Sequence, residues 1–168
     1  MTTPSIRSAT FADAQDVADV YAHHVRTGVA TFDLEPPPAQ TWAQKISEAQ
    51  QDGWPFLVVE EPTGELAGFA YATQWRPKPG YRHTVEDTIY LSPAAVGRGI
   101  GRALLARLLA DCAAAGARQV LAVIADSGEP ASQALHRSLG FAEVGRLSRV
   151  GVKFGREIDT LLFQRSLG

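Results

Sequence analysis

Apolar residues along the chain follow two spacings, one typical of helices and one typical of strands. Between residues 11 and 28, apolar side chains such as Val17 and Val25 recur at helical spacing, which predicts a first helix. A second helix is predicted over 41–53, with Thr41 as its cap and a glycine after its last turn. Three prolines at 36–38 separate the two helices, and they predict an ordered loop or an extended arm.

Strand patterns dominate the remainder of the chain. They occupy residues 5–10, 55–61, 65–75, 84–93, 118–125 and 141–167, and further helical patterns occupy 96–109 and 129–140. The turn Pro62–Gly64 predicts an antiparallel hairpin, and the apolar run 118–125 predicts a strand buried on both faces. The segment 141–167 is consistent with two strands joined by a glycine-rich loop. This order predicts one α/β domain over residues 1–168, with a mixed sheet.

Composition narrows the class of protein. Hydrophobic residues make up 45% of the 168 residues and charged residues 20%, as in ordinary globular proteins. The net charge of −2 gives no indication of a nucleic-acid or anionic-membrane surface, and we expect neither partner. No apolar run approaches membrane-spanning length, so a cytoplasmic protein is expected. The single cysteine, Cys112, excludes an internal disulfide, and no cysteine or histidine cluster has metal-ligand spacing.

The stretch VGRGIGRALLARLL, residues 96–109, runs from a glycine-spaced turn into a helix. Free N–H groups and the helix dipole favour an anion at such a terminus, and Arg98 and Arg102 add positive charge. A turn that merely needs positive φ explains an isolated G-x-G equally well. The P-loop lysine is absent and Leu104 replaces the third Rossmann glycine, so the phosphate of another cofactor is indicated.

The turn, together with EPASQALHRSLGF at 129–141, resembles the acetyl-CoA-binding core of the GNAT acetyltransferases. The resemblance implies the GNAT fold, an α/β (α+β) architecture whose mixed, mostly antiparallel sheet has splayed central strands flanked by helices. Pantetheine would pair with the free edge of one central strand. The acetyl carbonyl would be polarised near the backbone of Tyr90 and Leu91. The implied acetyl-CoA-binding residues are Ile89, Tyr90, Leu91, Gly97, Arg98, Gly99, Ile100, Gly101, Arg102 and Glu129.

Two longer signatures, WRPKPGYRHTVEDTIYLSP and VGVKFGREIDTLLFQ, are similar to the phosphinothricin N-acetyltransferase branch. Relatives of that branch also acetylate methionine sulfoximine and methionine sulfone. The similarity covers almost the whole chain and implies a homodimer, with Lys153, Phe154 and Arg156 near its interface. Two positions depart from the family pattern: Val96 replaces the usual Gln or Arg, and Glu129 replaces the Asn that opens the second helix of the core.

The resemblance also implies catalytic residues. Acetylation needs a neutral amine, and Glu86 matches the branch's T-V-E position, so it is the candidate base. His136 stands where many GNAT enzymes carry a tyrosine thought to protonate the thiolate. We interpret it as a proton-transfer or substrate-orienting residue. The alternatives are a solvated carboxylate for Glu86 and a packing residue for His136. Asp87 follows Glu86 on the opposite face of the strand and is interpreted as structural.

An amino-acid substrate needs groups that hold its carboxylate and its phosphinate or sulfoximine oxygens, and arginine suits both. Arg76 is the strongest candidate, while Lys78 and Arg82 fit an exposed basic loop equally well. His23, His24 and His83 are interpreted as surface or helix residues. The predicted surroundings of the substrate are Phe32, Glu35, Arg76, Pro77, Lys78, Tyr81, Arg82, Asp87 and Thr88.

The leading hypothesis is an N-acetyltransferase that moves acetyl from acetyl-CoA to the α-amine of a small amino-acid analogue, with no metal. One alternative is a GNAT enzyme that acts on another small amine or on a protein N-terminus. The other is a catalytically silent acyl-CoA-binding module.

Overall fold

The computed structural model describes residues 3–168. Its helices are α1 (Ala14–Thr27), α2 (Ala39–Asp52), α3 (Ile100–Ala114) and α4 (Ala131–Ser138). Its strands are β1 (Ser5–Ser8), β2 (Phe56–Glu60), β3 (Leu66–Gln74), β4 (Thr84–Leu91), β5 (Gln119–Ala125), β6 (Ala142–Lys153) and β7 (Arg156–Ser166). Short 3₁₀ turns lie at Phe11–Asp13, Pro79–Tyr81 and Pro93–Ala95. Among residues 3–168, no helix combines the length and the apolar character needed to cross a bilayer.

Most predicted elements are confirmed, and the boundaries that differ have local causes. Helix α2 begins at Ala39, because Pro38 in an extended conformation (ψ 163°) takes the cap position that the sequence predicted for Thr41. Proline suits the start of a helix, where its missing N–H has no partner to lose. The expected glycine-rich loop between the last two strands is a two-residue turn, Phe154–Gly155, with φ of 52° and 71°. Two left-handed residues match the twist of a tight hairpin.

The seven strands form one sheet in the order β1-β2-β3-β4-β5-β7-β6. Every neighbouring pair is antiparallel except β4 and β5, which are parallel. Their pairing covers only Thr84↔Gln119, Val85↔Val120 and Glu86↔Leu121. Beyond Glu86 the two central strands separate, so β4 has a free edge from Asp87 to Leu91. The mixed, mostly antiparallel sheet with splayed central strands is therefore confirmed.

Helices cover both faces of the sheet, and the two faces carry different side chains. Under α3 lies an aliphatic core that includes Leu57, Leu104, Leu108 and Val120. Under α1 and α2 lies an aromatic core built from Tyr21, Trp42, Phe56, Phe69 and Tyr71. The period-two alternation of strands explains the division, since neighbours such as Phe56 and Leu57 point to opposite faces.

Strand β5 departs from the prediction that both of its faces are buried. Val120, Ala122 and Ile124 are buried on the α3 side, but Val123 is 43% exposed on the other side. The exposure arises because the aromatic core beneath α1 and α2 contains no residue of β5, so this face of the strand is left uncovered. The apolar run 118–125 predicted a strand buried on both faces, but one of its faces is partly exposed to solvent.

Candidate active site

Strand β4 presents two chemically distinct faces where it separates from β5. Tyr90 packs into the aromatic core, and Glu86 and Thr88 share its face by alternation. Val85, Ile89 and Leu91 pack on the aliphatic side, and Asp87 shares that face. The sequence prediction that Asp87 lies opposite Glu86 agrees with this arrangement.

Glu86 is the last residue of β4 that pairs with β5, and its side chain is half-buried. Burial raises the pKa of its carboxyl, and the neighbouring charge of Asp87 raises it further. The positive charge of Arg76 acts in the opposite direction. A carboxylate with a raised pKa is a stronger base than a solvated one, so the residue is suited to accept a proton.

Two tyrosines stand close to Glu86 on the aromatic face. Tyr71 is the register partner of Thr88, and burial raises the pKa of Tyr71 to about 12. Burial also raises the pKa of Tyr90, whose hydroxyl donates to the carbonyl of Ala30 at 3.2 Å. Both phenols therefore stay protonated near neutral pH, where they can donate hydrogen bonds but carry no charge.

Asp87 and His136 form a buried pair on the aliphatic side. His136 Nε2 lies 2.7 Å from Asp87 Oδ2, and His136 Nδ1 lies 2.7 Å from the carbonyl of Ser132. Burial lowers the pKa of His136, but the hydrogen bond and charge of Asp87 outweigh it, and the net pKa is raised. Both ring nitrogens face acceptors, and this arrangement favours the doubly protonated form of the ring. His136 therefore lies across the strand from Glu86, not beside it.

The proline-rich arm is anchored to α1 and β6. The hydroxyl of Tyr21 donates to Asp33 and also contacts the hydroxyl of Thr31, at 2.6 Å. The buried ammonium of Lys153 donates to the Thr31 carbonyl at 2.9 Å. These contacts fix the segment that carries the predicted residue Phe32.

Phe32 itself lies against the backbone of β6. A Cβ on Gly151 would come within 2.3 Å of the Phe32 ring, so only glycine leaves room for the ring in this position. Leu34 and Glu35, farther along the arm, are exposed, and Leu34 is 72% exposed. The arm thus brings Phe32 into contact with the hairpin and leaves Glu35 in solvent.

The basic loop between β3 and β4 carries most of the remaining predicted substrate residues. The Arg76 guanidinium lies 4.1 Å from the centre of the Trp75 ring and is near enough to Glu86 to affect its pKa. Exposed residues make up the rest of the predicted set: Pro77, Lys78, Tyr81 and Arg82. Arg82 contacts the Pro79 carbonyl within the loop. Arg76 is thus the basic side chain that acts on Glu86.

The glycine turn before α3 has the backbone that an anion site requires. Gly97 and Gly99 have φ of 79° and 77°, and α3 begins at Ile100. No side chain caps this terminus, so its first N–H groups have no partner within the helix. A Cβ at either glycine would meet nothing within 4 Å, which leaves the backbone open to an approaching group.

The two arginines of the turn have protein partners in this structure. Arg98 forms an ion pair with Glu61 at 2.6 Å, and Arg102 donates to the carbonyl and hydroxyl of Ser138, both at 3.1 Å. Arg102 therefore joins α3 to the end of α4. Glu129 is exposed and precedes α4, which begins two residues later, at Ala131.

The backbone direction alternates along β4, and it differs among the residues predicted to contact the coenzyme. The Ser92 N–H donates to the Ala67 carbonyl of β3, and the Trp75 N–H donates to the Thr84 carbonyl of β4. Even-numbered residues of β4 therefore point their backbone groups at β3. Leu91 and Ile89 point theirs at the free edge. Tyr90 directs its backbone groups at β3, and its side chain packs against the aromatic core. Ile89 and Leu91 thus remain the predicted backbone contacts of the coenzyme at this edge.

Several residues of this region were missed from the sequence. Tyr21 and Asp33 come together only through the fold, and no spacing in the chain links them. Lys153 was predicted near a dimer interface, but its buried contact with the Thr31 carbonyl was not foreseen. His24, interpreted as a surface or helix residue, is half-buried with Nε2 2.7 Å from the Leu91 carbonyl. Within residues 3–168, no group of three or more His, Cys, Asp or Glu side chains is arranged to hold a metal.

Comparisons with known proteins agree with this geometry. The acetyltransferase (GNAT) family pattern matches residues 17–141. A phosphinothricin N-acetyltransferase from Alcaligenes faecalis is 46% identical over 92% of this chain and 78% of the relative. The L-methionine sulfoximine/L-methionine sulfone acetyltransferase of Salmonella typhimurium is 36% identical over 97% of this chain and 94% of the relative.

A solved structure gives the same result for the fold. The GNAT-superfamily phosphinothricin acetyltransferase from Sinorhizobium meliloti, crystallised with acetyl-CoA, superposes with a TM-score of 0.94. It is 42% identical to this chain, and the match covers 99% of this chain and 90% of the other. The split sheet, the uncapped glycine turn and the extent of these matches establish that the chain is an enzyme of the acetyltransferase (GNAT) family.

Proposed function

We propose that this enzyme transfers an acetyl group from acetyl-CoA to the α-amino group of a small amino-acid analogue such as phosphinothricin, methionine sulfoximine or methionine sulfone. The observation that carries the proposal is Glu86, a half-buried carboxylate with a raised pKa at the point where β4 loses its partner strand. Relatives named for these substrates, at 46% and 36% identity, support the substrate class.

The glycine turn and the free edge of β4 fit the coenzyme. Open N–H groups at Gly97 and Gly99 suit a diphosphate, and the backbone groups of Ile89 and Leu91 suit the amides of pantetheine. Arg98 is paired with Glu61, so we assign most of the diphosphate binding to the backbone. Acetyl-CoA, when bound, supplies the acetyl group as a thioester.

Glu86 is the proposed base. It takes a proton from the α-ammonium, directly or through water, and the neutral nitrogen then forms a bond to the acetyl carbon. As the C–S bond breaks, the nitrogen gives up a second proton to solvent and the sulfur takes one up. The task of Glu86 requires the ionised carboxylate, so the rate should rise with pH through the raised pKa of this residue. Arg76 favours the ionised form and is also the proposed partner of the substrate carboxylate.

His136 has a proposed role on the coenzyme side. As the C–S bond breaks, the sulfur gains negative charge and takes up a proton. The raised pKa of His136 favours a proton on both ring nitrogens, between Asp87 and Ser132, and the ring can supply one of these protons to the sulfur if a hydrogen bond is exchanged. We therefore propose that His136 stabilises the departing thiolate.

A thiol-release assay with acetyl-CoA tests the proposed activity. The panel contains phosphinothricin, methionine sulfoximine, methionine sulfone, common L-amino acids and a short peptide with a free N-terminus. We expect turnover on one or more of the first three that exceeds turnover on the peptide. Faster turnover on the peptide would indicate an acetyltransferase of protein N-termini. Coenzyme binding without thiol release would indicate an acyl-CoA-binding module that lacks catalytic activity.

Replacement of the base tests the mechanism. Glu86→Gln should lower kcat by about 100-fold or more, because general-base catalysis contributes roughly 10²–10⁴. It should also remove the acid limb of the pH profile, while coenzyme affinity stays within twofold. Glu48→Gln is the matched control, since Glu48 is an exposed carboxylate on α2. An unchanged pH profile in Glu86→Gln would exclude Glu86 as the base.

We further propose that the enzyme is a homodimer that pairs through β6. This edge strand is twelve residues long, and with the following turn it exposes a row of large apolar side chains. They are Val144, Leu147, Val150, Val152 and Phe154, each 47–64% exposed. Light scattering should give twice the 18.0 kDa chain mass, and Val152→Lys should halve it, whereas Phe11→Lys should not. A wild-type monomer would contradict this proposal.

A further inference from the structure

The free edge of β4 ends at a carbonyl whose direction is fixed by the backbone. The Ser92 N–H donates to the Ala67 carbonyl at 2.8 Å, on the β3 side. The carbonyl and N–H of one peptide unit point in opposite directions. The Leu91 carbonyl, in the same peptide unit as the Ser92 N–H, therefore points away from β3 and toward the free edge, as does the Leu91 N–H.

His24 reaches this carbonyl from the last turn of α1. Its Nε2 lies 2.7 Å from the Leu91 oxygen, and because a carbonyl only accepts, Nε2 must carry the hydrogen. The imidazole packs against the ring of Tyr90 at a centroid distance of 5.1 Å. The Tyr90 hydroxyl in turn donates to Ala30, just beyond α1. The end of α1 is thus attached to the end of β4 at two points.

The neutral form of His24 keeps its one N–H on Nε2, where it donates to the Leu91 carbonyl. Burial lowers the pKa of its imidazole, and the nearby His23 lowers it too, while the Leu91 carbonyl opposes them. The net pKa lies below the ordinary value, so the ring is neutral at pH 7. A neutral imidazole has one N–H, and here the Leu91 carbonyl holds it on Nε2.

The side chain of Leu91 is confined as tightly as its carbonyl. A Cβ on Gly68 would come within 2.6 Å of Leu91 Cδ2, and a Cβ on Gly101 within 3.2 Å of Leu91 Cδ1. Leu91 thus lies between β3 and the first turn of α3. Its side chain and its carbonyl are both held before any ligand arrives.

We infer that His24 is a positioning residue for acetyl-CoA. By fixing the direction of the Leu91 carbonyl and N–H, it sets where along β4 the pantetheine amides pair, and hence how close the thioester comes to Glu86. The carbonyl oxygen has a second lone pair, so it can accept from His24 and from the coenzyme together. The inference rests on the proposed function, because it requires the coenzyme to pair with the free edge.

Three variants test the inference through coenzyme affinity as well as rate. His24→Leu removes the donor but keeps apolar volume, and His24→Gln restores an N–H at similar reach. His23→Leu is the matched control. The adjacent exposed ring packs edge-on against His24, with centroids 5.4 Å apart, and lies 3.4 Å from the Thr27 hydroxyl on the same helix, but it has no hydrogen bond to Leu91. Calorimetric titration with CoA gives Kd, and steady-state assays give KM for each substrate and kcat.

We expect His24→Leu to raise the Kd for CoA and the KM for acetyl-CoA by about tenfold, which corresponds to about 1.4 kcal/mol and lies within the range for one hydrogen bond. The KM for the amine should not change. His24→Gln should return both constants to within threefold of wild type, and His23→Leu should match wild type. Unchanged CoA affinity in His24→Leu would overturn the inference and leave the proposed function intact. Absence of CoA binding in wild type would overturn both.

Nitrogen NMR of the wild-type imidazoles gives a readout that does not depend on how the variants fold. The His24 ring should be the Nε2–H tautomer at pH 7, and its shifts should move on titration with CoA more than those of His23. A His24 ring in the Nδ1–H tautomer, or one that does not respond to CoA, would overturn the inference.

Discussion

The hydrophobic cores on the two faces of the sheet differ in the side chains that build them. The core beneath α3 is aliphatic, and residues such as Leu104, Leu105 and Leu108 are completely buried there. The core beneath α1 and α2 is aromatic, and the hydroxyls of Tyr21 and Tyr71 reach polar groups at its margin. The core beneath α3 contributes almost only apolar packing, whereas the core beneath α1 and α2 combines apolar packing with hydroxyl groups that donate hydrogen bonds.

Under the proposed function, this difference would separate the binding of the coenzyme from the chemistry on the amine. The aliphatic core fixes α3, and with it the uncapped glycine turn, so a diphosphate would meet a rigid anion site. The aromatic core places phenols of raised pKa beside Glu86. The buried Asp87–His136 pair is the exception, a polar contact within the aliphatic side. Four predictions test this division, in descending order of expected effect.

The largest expected effect is on stability. Leu104→Ala should lower the free energy of unfolding by about 2–5 kcal/mol, because it leaves a cavity in a fully packed site. Denaturant titration measures the loss. The kcat per folded molecule should stay within twofold of wild type, and a larger fall would show that the aliphatic core also shapes the chemistry.

The next prediction concerns the coenzyme side. Gly99→Val should weaken CoA binding by about tenfold or more, because a β-branched residue resists φ of 77° and its side chain would occupy the open face of the turn. Gly53→Val is the matched control, since Gly53 has φ of 78° at the end of α2 and an equally open Cβ position.

Both glycine variants should lose about 1–3 kcal/mol of stability through backbone strain, measured by denaturant titration. Only Gly99→Val should lose CoA affinity, measured by calorimetry. Equal affinities in the two variants would place the diphosphate elsewhere.

The third prediction is a pH dependence of stability. His136 has a raised pKa in the folded protein, so its stabilising contribution is fully present below the unfolded pKa of about 6.5 and is lost as the pH rises through the folded value. The slope cannot exceed roughly 1.4 kcal/mol per pH unit for one proton. Asp87→Asn should flatten this slope, while His23→Gln should not. An identical slope in Asp87→Asn would mean that the pair does not titrate with unfolding.

The smallest expected effect comes from removing the hydroxyl of Tyr71, a residue of the aromatic core. Tyr71→Phe should change the unfolding free energy by no more than about 1 kcal/mol. It should lower kcat/KM for the amine a few-fold and leave CoA affinity unchanged, as measured by thiol release and calorimetry. A change in CoA affinity would show that the two sides are coupled through β4.

Local patterns predicted the fold well because they are dictated by nearest neighbours in the chain. Strand alternation placed Glu86 and Asp87 on opposite faces, and the glycines before α3 indicated an anion site. The errors arose where distant segments decide the outcome. Val123 is exposed because the aromatic core beneath α1 and α2 does not extend over β5.

Side-chain partners were the least predictable part of the site. His24 and Leu91 are 67 positions apart, and Lys153 and Thr31 are 122 apart, so no spacing rule connects them. Arg98 was predicted to face a phosphate, but its partner in this structure is Glu61 from the β2–β3 turn. Charge and residue type indicated what these groups can bind, and only the fold decided which partner each one has.

The short parallel contact between β4 and β5 has a thermodynamic consequence. Three residue pairs join a four-strand half of the sheet to a three-strand half, so the two halves share few main-chain bonds of their own. A ligand inserted between them touches both, and its binding energy opposes their separation. Saturation with such a ligand should therefore raise the melting temperature, by an amount that grows with the ligand concentration.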